Sequence, residues 1–272
     1  MPSRAVLLAS TLLAAGALAT QASAAPLEQG ALALTLEAGT DFSLDGDVHG
    51  GATAPVASLA ALNPNLPGVP AELRIGARSF DRIYGETLSF GLEGAYGLGS
   101  NREAFFTLRY ATADEGRTEV GSAFVPALNA SVPVNGSFSD YKATSVEAGL
   151  RQFFGEGDFR PYVAARAGVA FVDDIKASFT VPVPAGVGAE PNDIVLSNVP
   201  FYDSSTSWRA GVDAGIAYAV SEKVSLMGEV GLTYQGDLDG DDTAIGGLGL
   251  ASINNKSDQL TGSFRVRARF AF

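Results

Sequence analysis

The chain contains no cysteine, and it has one histidine and one tryptophan among its 272 residues. Without cysteine it can form no disulfide and has no thiol nucleophile. A nucleophilic triad also needs a base, which is usually histidine. His49 is the only histidine, and it lies in a long polar connection where we expect it to be solvated. The sequence therefore predicts no catalytic residue, no cofactor, no metal site and no enzymatic activity.

Positive charge is also scarce. Lysine and arginine total 18 against 30 aspartate and glutamate, which gives a formal net charge of −12. Proteins that bind nucleic acid usually carry a basic footprint that neutralises phosphates, and this chain has none. An acidic chain is equally unsuited to simple adhesion to an anionic membrane surface. We therefore exclude nucleic acid as a partner.

Long apolar runs are absent beyond the first residues. Arg4 is followed by an uncharged apolar run at 5–19, and residues 22–24 give the small-x-small pattern that signal peptidase requires. An uncleaved anchor is the alternative, but a spanning helix needs roughly 20 apolar residues. We therefore expect residues 1–24 to be a signal peptide and residues 25–272 to form one domain. A helical membrane protein is excluded because no later run is long enough.

Period-two alternation dominates the rest of the chain. In segments of about ten residues, one parity is apolar and the other is small or polar, a pattern typical of transmembrane barrel strands. Eight such segments are predicted, at 31–40, 87–98, 104–112, 144–154, 162–172, 207–220, 224–235 and 260–272. The predicted fold is all-β: an eight-stranded antiparallel up-and-down transmembrane β-barrel.

The connections alternate between short and long. Three are short, and four are long, at about 41–86, 113–143, 173–206 and 236–259. Outer-membrane barrels have short periplasmic turns and long extracellular loops, so both termini are expected in the periplasm. The prolines fall mainly in the long connections, which we interpret as loops. Residues 72–80 could form an early strand or a loop hairpin. An even strand count favours loop structure there.

The polar face of the predicted strands distinguishes a membrane barrel from a soluble one. That face carries small residues and charges with almost no lysine, unlike a solvated surface, and it fits a narrow lumen that side chains fill. We interpret its charges as a structural plug of paired groups, with a gated pore or proton path as the alternative. The predicted lumen charges are Glu37, Glu93, Arg109, Glu147, Arg151, Arg166, Arg209, Asp213, Glu229, Arg265, Arg267 and Arg269.

Two other features of the long connections allow alternatives. The segment 237–242 resembles half of a calcium loop but lacks the full spacing and the closing glutamate, so hydrated loop tips are the simpler interpretation. Asp41 belongs to a second acidic run, which we also assign to a loop. Apolar stretches at 124–128, 179–184 and 194–200 are expected to pack as a cap, with a partner surface as the alternative.

The C-terminal segment 264–272 alternates strictly and ends on phenylalanine. Phe270 and Phe272 look like the assembly signal of outer-membrane barrels. The mature chain, over roughly residues 28–272, resembles the outer membrane protein beta-barrel superfamily, the small eight-stranded barrels similar to the transmembrane part of outer membrane protein A. The resemblance implies a Gram-negative outer-membrane location. It also implies contact with outer-membrane lipid and lipopolysaccharide, and passage through periplasmic chaperones and the barrel assembly machinery.

Function is less determined than architecture. We expect a monomer with a structural or surface-interaction role through its long extracellular loops and with a closed, charge-plugged lumen. The alternatives are a small porin-like channel and, with less support, a barrel enzyme such as one that modifies lipid A.

Overall fold

The computed structural model describes residues 26–272, so the predicted signal peptide lies outside the described residues. The only α-helix in the described part, α1 (Phe80–Tyr84), has five residues, and no helix there is long and apolar enough to cross a membrane. The strands are β1 (Leu32–Asp45), β2 (Asp47–His49), β3 (Ala52–Val56), β4 (Ala71–Ile75), β5 (Arg78–Ser79), β6 (Glu86–Gly99), β7 (Arg102–Ala113), β8 (Gly116–Val125), β9 (Ala130–Phe138), β10 (Tyr141–Phe153), β11 (Phe159–Val172), β12 (Ile175–Val181), β13 (Ile194–Tyr202), β14 (Ser205–Ala219), β15 (Val224–Gln235) and β16 (Gln259–Ala271).

Eight long antiparallel strands close into a barrel in the order β1-β16-β15-β14-β11-β10-β7-β6. The last strand pairs with the first, from Ala33 opposite Ala271 to Asp45 opposite Leu260, with one irregularity near Asp45. Closure leaves no free strand edge, which a lipid-exposed sheet could not tolerate. The predicted eight-stranded barrel is confirmed. Several strands run further than the alternation indicated: β1 continues to Asp45, β7 begins at Arg102, and β10 and β11 begin at Tyr141 and Phe159.

The outward face of the barrel is apolar and exposed. Leucine, valine and aromatic side chains cover it; Leu36, Phe106 and Val212, for example, are more than half exposed. Charged residues of outward parity occur only near strand ends, at Glu86, Arg102 and Lys142. This distribution suits a hydrocarbon environment, where an arginine or lysine at mid-depth costs about 2–4 kcal/mol.

The four long connections fold together over one end of the barrel. We call residues 46–85, 114–140, 173–204 and 236–258 the cap, the barrel end beneath them the cap end, and the opposite end the turn end. The cap holds a six-stranded sheet in the order β13-β12-β9-β8-β4-β3 and a two-stranded sheet of β2 and β5. The four long connections therefore contain regular structure, and residues 72–80 supply most of β4, all of β5 and the start of α1, which lie in the cap and not in the barrel wall.

The cap has its own apolar core. Val48, Leu66, Phe138 and Phe201 are fully buried in it. Barrel residues at the cap end, among them Val172, belong to the same cluster, so cap and barrel share one packed interior. The apolar stretches noted in the sequence contribute to this core through Val125, Val181 and Ile194.

Proline placement explains part of the missed structure. Pro55, Pro133 and Pro200 lie inside cap strands rather than in loops. A strand tolerates proline where no neighbour needs its N–H, which favours edge strands. Pro55 and Pro200 lie on the two edge strands β3 and β13. Pro133 lies outside the stretch 135–138 through which β9 pairs with β12.

Candidate functional site in the barrel interior and the cap

The barrel interior holds a network of buried arginines and carboxylates. All twelve predicted lumen charges point inward and are buried. The structure adds two carboxylates that sequence reasoning missed, Asp41 and Glu103, which hydrogen-bond to the network arginines. Among residues 26–272, the network therefore joins seven arginines to seven carboxylates: Arg109, Arg151, Arg166, Arg209, Arg265, Arg267 and Arg269 with Glu37, Asp41, Glu93, Glu103, Glu147, Asp213 and Glu229.

Glu93 is the centre of the half of the network nearer the turn end. Arg151 donates to it through both terminal nitrogens, with Nη2 2.9 Å from Oε2 and Nη1 3.1 Å from Oε1. Arg267 also donates to Oε2 of Glu93. The Arg151 guanidinium lies 4.7 Å from the ring centroid of Phe105 and 5.2 Å from that of Tyr162, which adds cation–π attraction. Two cations therefore compensate one buried carboxylate.

Glu147 is the corresponding central carboxylate in the half of the network nearer the cap end. Its Oε2 accepts from Arg109 at 2.8 Å and its Oε1 accepts from Arg166 at 2.6 Å. Arg166 also forks onto Asp213, with Nε 2.8 Å from Oδ2 and Nη2 3.1 Å from Oδ1. Such forked pairs hold both partners in fixed orientations.

Residues on β16 connect the two halves. Arg265 contacts Asp41 and Asp213 at 3.2 Å and Glu229 at 3.3 Å. Arg267 contacts Glu229 at 2.8 Å and Glu37 at 3.3 Å. Glu37 and Asp41 lie on β1 and Glu229 lies on β15, the two strands that pair with β16, while Asp213 lies one strand further away on β14. Eight strands leave an interior that side chains alone can fill.

Arg209 is the least satisfied arginine of the network. Its shortest ion pair joins Nε to Oε1 of Glu147 at 3.8 Å, which is too long for a hydrogen bond. Among the described residues its Nε has no hydrogen-bond partner. Arg209 is nevertheless only 7% exposed, so it is buried without a hydrogen bond from its Nε to a carboxylate among residues 26–272.

Glycines make room for these long side chains. A Cβ atom built on Gly91 would lie 2.5 Å from Oε1 of Glu37, and one on Gly231 would lie 2.1 Å from Oδ1 of Asp213. Both glycines are inward-facing, so the small residues on the polar parity are the space into which charged groups of neighbouring strands extend. Glycine at these inward positions therefore allows the charged side chains of neighbouring strands to pack in the interior.

A chain segment closes the turn end. The backbone N–H of Leu27 donates to Oε1 of Glu103 at 2.8 Å, and its side chain packs with Ala33, Ala95 and Phe105. The same segment pairs with β6, where Gly30 N–H donates to the Gly97 carbonyl at 2.9 Å. Residues 26–31 therefore form a strap, with Leu27 seated inside the barrel.

The helix α1 closes the cap end. Phe80, Tyr84 and Tyr141 form an aromatic cluster with ring centroids 5.8 to 6.3 Å apart. Beneath it, Gln235 and Gln259 donate to the Tyr141 hydroxyl at 3.3 and 3.5 Å. The void left between helix and lumen is about 20 Å³. A space of that size holds about one water molecule.

His49 departs from the sequence-based expectation. It is 1% exposed, so the expectation of a solvated loop histidine is wrong. Its ring stacks on Phe138 at 5.8 Å and meets Phe201 edge-on at 6.1 Å. Nδ1 lies 3.0 Å from the Gly50 carbonyl oxygen. Because a carbonyl oxygen can only accept a hydrogen bond, Nδ1 carries a proton and donates it. Burial in this apolar core lowers the pKa of His49 from its ordinary 6.5.

The acidic segment 237–242 is organised by hydrogen bonds to its own surroundings. Oδ1 of Asp237 accepts from the backbone N–H groups of Ser257 and Asp258 at 2.8 and 3.0 Å. Oδ1 of Asp241 accepts from the Thr243 N–H at 2.8 Å. Within the described residues, no group of three or more histidine, aspartate or glutamate side chains is arranged to hold a metal ion.

Comparison with known families agrees with this geometry. The family model described as outer membrane protein beta-barrel domain matches residues 7–251. The chain belongs to this family. Membership confirms the resemblance drawn from the sequence and assigns the chain to the outer membrane. No curated protein matches the chain.

The solved structures that match this chain include several outer-membrane proteins. Neisserial surface protein A is 16% identical, with 88% of this chain and 99% of that chain covered and a TM-score of 0.39. Ail of Yersinia pestis is 12% identical over 90% of this chain and 100% of its own, with a TM-score of 0.35. OprG of Pseudomonas aeruginosa is 13% identical over 90% and 98%, with a TM-score of 0.37. Likenesses this distant say nothing about function.

Proposed function

We propose that this protein is a non-conducting outer-membrane barrel with a structural or surface-interaction role, in which the cap is the functional part. The observation that carries the proposal is the filled interior. Seven arginines and seven carboxylates neutralise one another across it. A conducting path would require buried partners to separate, and breaking one such pair typically costs about 3–5 kcal/mol.

The two closures support the same proposal. Leu27 fills the interior at the turn end, and α1 with Tyr141 fills it at the cap end. A porin-like channel would need both to move as well as the charge network between them. We therefore favour the closed barrel over the channel.

We further propose that the turn end, with both termini, faces the periplasm and that the cap faces outward. The short turns lie at one end and the long connections at the other, which is the usual arrangement of bacterial barrels. In this orientation the apolar wall contacts lipid and lipopolysaccharide, and the barrel is a monomer. Phe270 and Phe272, both exposed, would be the assembly signal read by chaperones and the assembly machinery.

The cap is suited to interaction because it is already folded. A surface held by its own core loses less conformational entropy on binding than flexible loops do. The face of its sheet that points away from this core carries exposed polar residues, among them Ser131, Asn135, Lys176 and Thr180. We propose no enzymatic role, since the one imidazole is buried among aromatic rings.

Planar-bilayer recording tests the closed barrel. The purified protein, shown to be folded by a heat-dependent shift in gel migration, is expected to give no steady unitary current. A variant with Glu93, Arg151 and Arg267 all replaced by alanine serves as the positive control, since it removes side chains that fill the lumen. Steady, reproducible currents from the native protein at the same protein density would support the channel instead.

A further inference from the structure

The cap contains an apolar cavity between its six-stranded sheet and the segment 245–253. Its volume is about 50 Å³. Val134, Ile194, Phe201 and Leu250 are among its lining residues, all buried and all apolar. Leu62 and Leu248 also line it and are half-buried, as are Ile75, Phe179 and Leu196.

His49 lines the same cavity and is its one titratable or polar side chain. The Nδ1–H of its neutral ring points to the Gly50 carbonyl, so the lone pair of Nε2 is a hydrogen-bond acceptor. Within residues 26–272 that Nε2 atom has no partner, although it is fully buried. Buried acceptors in native proteins are nearly always satisfied, so an unsatisfied one beside a cavity needs a group to complete it.

Water alone does not suit this position. The cavity is large enough for a water molecule, which needs about 10–15 Å³, but a buried water needs two to four polar partners. Here Nε2 is a single acceptor among hydrocarbon side chains. A molecule with one donor and an apolar remainder matches the lining better, because it satisfies Nε2 and leaves no polar atom facing the leucines and valines.

We propose that the cavity binds a short aliphatic alcohol, or the hydroxyl-bearing end of a longer aliphatic chain. The hydroxyl donates its hydrogen to Nε2 of His49, and the carbon chain packs against Val134, Ile194 and Leu250. The cavity volume limits the buried part to the hydroxyl and about one or two carbon atoms, since a cavity of about 150 Å³ is needed for benzene. A longer chain leaves the cavity past half-buried lining residues such as Leu248. The site belongs to the cap and does not depend on whether the lumen conducts.

The single histidine makes the test direct. Protein with isotope-labelled histidine, folded in lipid nanodiscs, gives one imidazole signal to follow by nitrogen NMR during titration with 1-propanol. Nε2 is expected to shift saturably in the direction of an acceptor that gains a hydrogen bond. Ethyl methyl ether, an isomer without a donor, is expected to bind about tenfold more weakly and to leave the Nε2 shift unchanged.

Matched variants separate the cavity from general partition into lipid. Leu248→Trp fills the cavity and is expected to abolish the saturable shift, with Val134→Phe as the second variant if the first does not fold. A shift that persists in both folded variants would overturn the proposal. So would the absence of a saturable shift in the native protein, or an Nε2 already hydrogen-bonded without ligand, which would indicate a trapped water.

A third titration distinguishes the two sources of the hydroxyl. 1-Octanol carries the same group on a chain too long for the cavity. If it gives the same saturable shift as 1-propanol, the site accepts a chain end and its tail extends outward past Leu248. If only 1-propanol binds, the site is specific for small free alcohols. Binding by neither contradicts the proposal.

Discussion

Arg151 on β10 donates hydrogen bonds to Glu93 on β6 through both terminal nitrogens, at 2.9 and 3.1 Å. One strand, β7, lies between β10 and β6 in the barrel. The pair therefore extends across the inward face of β7. Both side chains are completely buried. Removing either charge would leave its buried partner with less compensation, which makes this pair a test of how the interior is stabilised.

Glu93→Gln is expected to destabilise the barrel by about 3–5 kcal/mol, because Arg151 and Arg267 would then face an uncharged amide. Urea-induced unfolding from lipid vesicles measures the change. Glu72→Gln is the matched control, since Glu72 pairs with Arg74 at 2.6 Å on the exposed surface of the cap. That exposed pair should contribute no more than about 1 kcal/mol. Equal losses in the two variants would contradict the account.

The two arginines nearest Glu147 should respond differently to substitution. Arg166→Met removes a forked pair with Asp213 and a 2.6 Å contact with Glu147, so a loss of about 3–5 kcal/mol is expected. Arg209→Met removes only a 3.8 Å contact and an unsatisfied Nε, so it is expected to be nearly neutral or stabilising. The same unfolding assay decides. A larger loss for Arg209 than for Arg166 would show that Arg209 has a partner that this network does not include.

The strap at the turn end should detach from β6 when a side chain occupies the space between them. A Cβ atom on Gly97 would lie 2.0 Å from the Glu28 carbonyl oxygen, whereas one on Gly94 would meet nothing within 4 Å. Gly97→Ala is therefore expected to expose residues 26–31 to protease while the barrel keeps its heat-dependent gel shift. Gly94→Ala should leave cleavage unchanged. Resistance in the Gly97 variant would mean that the strap is not held by this contact.

The stability of the cap should depend on pH through His49. Burial lowers the pKa of this imidazole in the folded cap, while the unfolded chain titrates near the ordinary 6.5. The unfolded state therefore binds more protons in the interval between these two pKa values. Stability is complete above about pH 6.5 and falls as the pH decreases through that interval. Asp47 and Arg78 face the same imidazole and oppose each other in their effect on its pKa.

Hydrogen exchange of cap amides measures this effect, at about pH 5 and above pH 7. Once intrinsic exchange rates are corrected for pH, protection in the native cap should decrease at the lower pH. His49→Phe should lose most of that dependence while it keeps an aromatic ring against Phe138 and Phe201. An unchanged pH dependence in the variant would assign it to carboxylates elsewhere.

The barrel was predictable because lipid imposes a strict rule on sequence. The barrel strands alternate outward apolar residues with inward small or polar residues, and Gly91 and Glu93 both keep the inward parity of β6. The same rule could have found the two missing carboxylates. Asp41 has the inward parity of Glu37, and Glu103 has that of Arg109. Both were missed because the predicted strand 31–40 ended before Asp41 and the predicted strand 104–112 began after Glu103. Polar residues at the end of a strand resemble the start of a loop.

The cap could not be predicted in the same way. Its strands are short, several contain proline, and its sheet joins β3 and β4 to β8, β9, β12 and β13 from distant connections. A segment such as 194–202 is apolar enough for a strand, but its partner depends on which loops meet above the barrel. Burial of His49 follows from that assembly alone, since nothing in the sequence near residue 49 distinguishes a buried histidine from a solvated one.

The central claim is that paired charges fill the lumen, and hydrogen exchange of arginine side chains measures this most directly. Protein with isotope-labelled arginine in lipid nanodiscs resolves the guanidinium N–H groups by NMR. Arg109, Arg151, Arg166 and Arg267 are expected to exchange slowly, since each is buried and bonded to carboxylates. The exposed Arg117 supplies the fast-exchanging reference in the same sample. Exchange of the lumen arginines as fast as that of Arg117 would mean a water-filled interior and would contradict the closed barrel.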